Sequence, residues 1–99
     1  MTINVTARGV AHIGKLMVCH GGELNLTLSC GATLQDLLII LVKCCGPAFE
    51  QGIFQQGSLV LRDDVRLLLN GREIAFLNGL ATELQDGDHL SLIPPLAGG

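Results

Sequence analysis

The chain has 99 residues, a net charge of −3 and a hydrophobic fraction of 48%, apolar enough to oppose an ordering cost of roughly 100–200 kcal/mol without metals or disulfides. Aromatic residues make up 3% of it, Phe49, Phe54 and Phe76, so the core is expected from Leu, Ile and Val, and base stacking on aromatic platforms is disfavoured. There is no basic run to meet a phosphate backbone or an anionic membrane. The longest apolar stretch, Leu37 to Val42, is too short to span a bilayer, and Met1 to Val10 alternates instead of forming a signal peptide. A single cytoplasmic domain that binds neither nucleic acid nor membrane is the expectation.

Ile3, Val5 and Ala7 alternate with Asn4 and Thr6, the period of a half-buried strand. After a glycine-punctuated stretch from Gly9 to Gly22, Leu24, Leu26 and Leu28 alternate with Asn25 and Thr27, which predicts a second strand antiparallel to the first. Thr33 and Asp36 have the form of a helix start. Leu34, Leu37, Leu38, Leu41, Val42 and Cys45 then recur at helical spacing, until Gly46-Pro47 is expected to stop the helix.

Ala48 to Asp64 shows no sustained period and reads as a long irregular connection, with room for a short strand at Leu59 to Leu61. Val65, Leu67 and Leu69 predict a third strand, and Asn70-Gly71 a tight turn into Arg72-Glu73-Ile74. Asp86-Gly87-Asp88 reads as a turn, and His89 to Ile93 as the last strand, with Leu90 and Leu92 facing one way. The order predicts an α+β fold, a β-grasp roll with a mixed sheet of four to five strands on one main helix, its first and last strands parallel at the centre.

Pro94 and Pro95 cannot donate ladder hydrogen bonds, so the sheet should end at Ile93 and the chain leave it extended. Beyond Leu96 the side chains shrink to Ala97, Gly98 and Gly99. An α-carboxylate carried on so narrow a thread can enter a confined site, where ATP would activate it as a mixed anhydride. The chain has neither G-x-x-x-x-G-K-[ST] nor G-x-G-x-x-G, so the nucleotide site is expected on a partner and no cofactor on this chain.

Other candidates are weaker. Cys44 and Cys45 are adjacent and lack a metal or redox spacing. With Cys19 and Cys30 they are expected as reduced thiols without an assigned role. His12, His20 and Cys19 show no ligand spacing, so no metal is expected. Arg8, Arg66 and Arg72 fit as rim charges toward an acidic partner, and Leu68 and Ile93, on strand positions opposite to the core set, as an apolar docking patch beside the tail.

The run Leu69-Asn70-Gly71-Arg72-Glu73-Ile74, then Gly79-Leu80-Ala81-Thr82-Glu83-Leu84, then Asp86-Gly87-Asp88, a strand, Pro94-Pro95 and a terminal Gly98-Gly99 closely resembles the C-terminal half of ubiquitin-like sulfur carriers of the MoaD and ThiS type. The resemblance implies a carrier substrate, not an enzyme. Its Gly99 carboxylate is adenylated by a partner of the MoeB or ThiF kind, related to ubiquitin-activating enzymes, and becomes a thiocarboxylate, with Pro94, Pro95, Leu96, Ala97 and Gly98 as the delivery arm. It further implies a sulfur donor such as a cysteine desulfurase or rhodanese and, for MoaD relatives, a MoaE-like large subunit of molybdopterin synthase. Other relatives serve thiamine, tRNA or cysteine synthesis, or are conjugated to lysines as protein modifiers. A plain β-grasp interaction module is the rival reading, and it alone would tolerate loss of Gly98 and Gly99.

Overall fold

The structure, a computed structural model, describes residues 1–17, 22–55, 58 and 60–94. Five strands, β1 (Thr2–Gly9), β2 (Glu23–Ser29), β3 (Arg66–Leu69), β4 (Arg72–Glu73) and β5 (His89–Ile93), form one sheet in the order β2-β1-β5-β3-β4. The β1/β5 pair is parallel and the others antiparallel. The central parallel pair expected from the sequence is therefore present, and the arrangement is that of a β-grasp roll.

Helix α2 (Leu34–Cys45) covers one face of the sheet. It starts where expected because Thr33 and Asp36 close a reciprocal capping box: the Asp36 N–H donates to the Thr33 hydroxyl and the Thr33 N–H to the Asp36 carboxylate, at 3.4 and 2.9 Å. Leu34, Leu37, Leu38 and Leu41 are fully buried, and Val42 and Cys45 are partly buried against the same core. From the sheet, Ile3, Val5, Ala7, Leu67, Leu69, Leu90 and Leu92 point into it.

Two stretches differ from the sequence reading. Gly46-Pro47 does end α2, but Pro47 also opens a new helix, α3 (Pro47–Ile53), because a proline at the first helical position loses no hydrogen bond and arrives with helical φ. Phe49 and Ile53, four residues apart, fill the core from it, and Phe54 bridges to Leu61, with Leu59 outside the described residues. Likewise the Gly9 to Gly22 stretch contains a short helix, α1 (His12–Leu16), that buries Ile13. In both cases one or two inward side chains suffice, too few to make a period.

Candidate functional site: the open sheet face beside the C-terminal arm

The face of the sheet away from α2 carries the alternate residues of every strand, and the register arranges them in rows. Thr6, Asn25 and His89 form one row. The next holds Glu23, Arg8, Ser91, Leu68 and Glu73. Beyond it Arg66 lies opposite Ile93. Arg8, Arg66, Leu68 and Ile93, chosen from the sequence as a docking surface, thus come together in the two rows where β5 hands the chain to Pro94. Leu68 and Ile93 are half-buried and the two arginines exposed. Toward the other end, Asn4, Thr6, Asn25 and Thr27 make the face polar and uncharged.

Arg66 Nη1 sits 3.1 Å from Glu73 Oε1, with the arginine side chain 73% exposed. Such a pair contributes little to stability and is available to rearrange on contact. Arg8 and Arg72 take no salt bridge among the described residues. Another ion pair, Arg62 with Asp64 at 3.2 Å, lies on the loop before β3, where the Asp64 hydrogen bond holds the guanidinium pKa above its ordinary value.

Sequence reasoning missed Phe76. It is 83% exposed and, with Leu68, Gly71, Arg72 and Glu73, lines a shallow hollow of about 580 Å³. Ile74–Phe76 is a single 3₁₀ turn following β4, so no period marks which way its side chains point.

Much of the motif run builds scaffold. Asn70 and Gly71 both have positive φ, 53° and 85°, as the two-residue β3/β4 turn demands. The Thr82 hydroxyl accepts from Asn78 N–H and donates to the Gly79 carbonyl at 3.1 and 2.7 Å, and Leu84 is buried. Asp86 and Asp88 are turn formers, as expected: Asp86 accepts from the Asn4 N–H and Asp88 from the Gln85 N–H, each at 2.7 Å. Pro94, the last described residue, is buried at the end of β5, while Pro95, Leu96, Ala97, Gly98 and Gly99 lie outside the described residues, as do Cys19 and His20. Cys30 and Cys44 are exposed. Among the described residues there is no group of three or more metal-ligating side chains and no helix long and apolar enough to cross a membrane.

With this geometry in place, comparison with known proteins is informative. A family model described as the ThiS family matches residues 13–99. The chain belongs to the ThiS family. A relative in Haloferax volcanii, small archaeal modifier protein 3, is 51% identical over 39 residues, 39% of this chain and only 42% of that protein. A protein of Archaeoglobus fulgidus named as a sulfur carrier is 31% identical over 67 residues, 68% of this chain and 74% of its own. The solution structure of small archaeal modifier protein 1 from Methanosarcina acetivorans superposes with a TM-score of 0.83 at 28% identity, covering 100% of this chain and 99% of that one. The family and the β-grasp fold are therefore those expected from the sequence. The relatives to which the chain is similar are named as small modifiers and a sulfur carrier.

Proposed function

We propose that this chain is a cytoplasmic sulfur carrier that reacts through the carboxylate of Gly99. A partner adenylating enzyme brings ATP, a Gly99 oxygen attacks the α-phosphorus and pyrophosphate leaves. A persulfide on a desulfurase or rhodanese then attacks the carbonyl carbon through its outer sulfur and AMP departs with the oxygen; a thiol cleaves the resulting acyl disulfide, leaving a thiocarboxylate at Gly99 and a disulfide on the donor side. The chain contributes presentation. Gly98 and Gly99 carry no side chain to obstruct approach to the α-phosphate, and five residues beyond Pro94 can reach about 16 Å at the polyproline rise of roughly 3.1 Å each.

The observation that carries this reading is the convergence of Arg8, Arg66, Leu68 and Ile93 on the rows from which the diglycine arm departs. An apolar centre rimmed by cations beside the arm suits docking on an enzyme whose surface is acidic around its nucleotide site. The arm and the docking surface would then engage the activating enzyme together. The test is ATP–pyrophosphate exchange: with a MoeB-type or ThiF-type enzyme the full chain should support exchange and a chain lacking Gly98 and Gly99 should not. Exchange no higher than background with either chain, where a known carrier supports it, would favour the interaction module.

The final acceptor we assign is the pterin precursor of the molybdenum or tungsten cofactor, bound to a MoaE-like large subunit, on the strength of the Asp86-Gly87-Asp88, strand, Pro94-Pro95, diglycine run. A second reading rests on the two similar proteins named as small archaeal modifiers: the same adenylate ends as an isopeptide bond to lysines of target proteins. Lysine-linked adducts ending at Gly99 in cells would favour the modifier, and thiocarboxylate consumed without adducts the carrier.

A further inference from the structure

The two edges of the sheet are built differently. The β4 edge is two residues long and both are charged, Arg72 and Glu73, which discourages another strand from pairing there. The β2 edge is seven residues long, contains no proline or lysine, and carries one charge, at Glu23.

The ladder fixes which β2 groups face outward. Gly9 N–H donates to the Gly22 carbonyl at 2.8 Å and Cys30 N–H to the Met1 carbonyl at 3.0 Å, so these are hydrogen-bonded pairs bracketing the β1/β2 ladder. Hydrogen-bonded pairs recur every second residue, which makes Leu24, Leu26 and Leu28 the residues bonded to β1. Glu23, Asn25, Thr27 and Ser29 therefore turn their backbone N–H and C=O groups toward the open edge.

That edge is self-complementary about its middle residue. In Glu23-Leu24-Asn25-Leu26-Thr27-Leu28-Ser29, an antiparallel copy centred on Leu26 sets Leu26 against Leu26, Leu24 against Leu28, Asn25 against Thr27 and Glu23 against Ser29, so no carboxylate meets a carboxylate. The side chains match in donors and acceptors. Asn25 Oδ1 already accepts from the Thr6 hydroxyl at 2.8 Å and Thr27 donates its hydroxyl proton to Asn4 Oδ1 at 2.9 Å. What remains is an amide donor on Asn25 and acceptor capacity on Thr27, the two functions a two-fold axis brings together. On the α2 side Leu24 and Leu26 are only half-buried, and pairing would cover them.

We propose that the β2 edge is an interface for a second copy of this chain, paired antiparallel about a two-fold axis through Leu26 into a continuous ten-stranded sheet. Because β5 runs parallel to β1, the axis sends the two C-terminal arms toward opposite ends of that sheet, so both stay available to partners. An interface of one strand pair is small beside the roughly 1,200–2,000 Å² of stable complexes, so the dimer is concentration-dependent.

Sedimentation equilibrium of the full chain up to about 1 mM, where even a millimolar association is visible, should show the mass rising from 10.5 kDa toward twice that value. Asn25→Lys with Thr27→Lys places cations opposite one another across the axis and should hold the chain monomeric. Asn25→Lys with Thr27→Glu sets opposite charges across it and should restore the dimer. Both double variants lose the same bonds to Thr6 and Asn4, so their difference reports on the interface, and thermal unfolding followed by circular dichroism verifies that both are folded. A wild-type chain that stays monomeric throughout, or two double variants that associate equally, would overturn the proposal.

Discussion

Asn70 Nδ2 donates to Asp88 Oδ1 at 2.8 Å and so ties the β3/β4 turn to the turn that launches β5. The Asn70 side-chain oxygen accepts from the His89 N–H at 2.9 Å, and its own N–H donates to the His89 carbonyl at 2.8 Å. Asp88 is 8% exposed. With the Gln85 N–H on the other carboxylate oxygen, the amide thereby satisfies buried Asp88 and fixes the first residue of the strand that carries the arm. Asn70→Gly keeps the left-handed backbone and removes only this clip, and should lower stability by about 1–3 kcal/mol. Asn70→Ala, with a Cβ at φ 53°, should lose roughly 1–2 kcal/mol more. Urea midpoints give both values, and a wild-type midpoint for Asn70→Gly would remove the clip from the account.

The capping box makes a narrower prediction. Thr33→Ala leaves the Asp36 N–H without its hydroxyl acceptor and should cost about 1 kcal/mol, read as a lower unfolding temperature with unchanged helix content.

Gly9 and Gly14 touch backbone to backbone. A Cβ on Gly9 would lie 2.7 Å from Gly14 N, and one on Gly14 the same distance from the Gly9 carbonyl oxygen. Neither obstacle is a flexible side chain, so Gly9→Ala should force α1 away from β1 and destabilise by roughly 1–3 kcal/mol, as overpacking does. Amide hydrogen exchange should show the loss of protection first at the β1/α1 junction.

On the open sheet face the expectation reverses. Leu68→Glu and Ile93→Glu alter half-exposed positions and should change stability by no more than about 0.5 kcal/mol each, while weakening the association with an activating enzyme whose surface is acidic. Phe76→Ala should behave likewise if the adjoining hollow is part of that surface. Titration calorimetry with the activating enzyme distinguishes this from a fold defect, which would appear in the melting curve.

Legibility followed the length of each pattern. Residues 34–45 repeat the helical spacing through three turns, and β1, β2 and β5 alternate over at least five residues, so their type and inward face could be read directly. Helix α3 depends on Phe49 and Ile53 alone, and Pro47 sends two local messages, stop and start, of which tertiary burial decides the second. The proposed docking residues Leu68 and Ile93 could be named because they break the alternation of their strands. Phe76 could not, since its exposure depends on how one 3₁₀ turn packs beside β4.

The central claim is tested most directly by intact mass. Incubated with ATP, a cognate activating enzyme and a sulfide source, the chain should gain about 16 Da as one oxygen becomes sulfur, with the gain located at Gly99 by fragmentation and thiol oxidation, which adds nearly the same mass, excluded by prior alkylation of the cysteines. A thiocarboxylate at Gly99 is the predicted result. An unchanged mass under conditions that convert a known carrier would contradict the account.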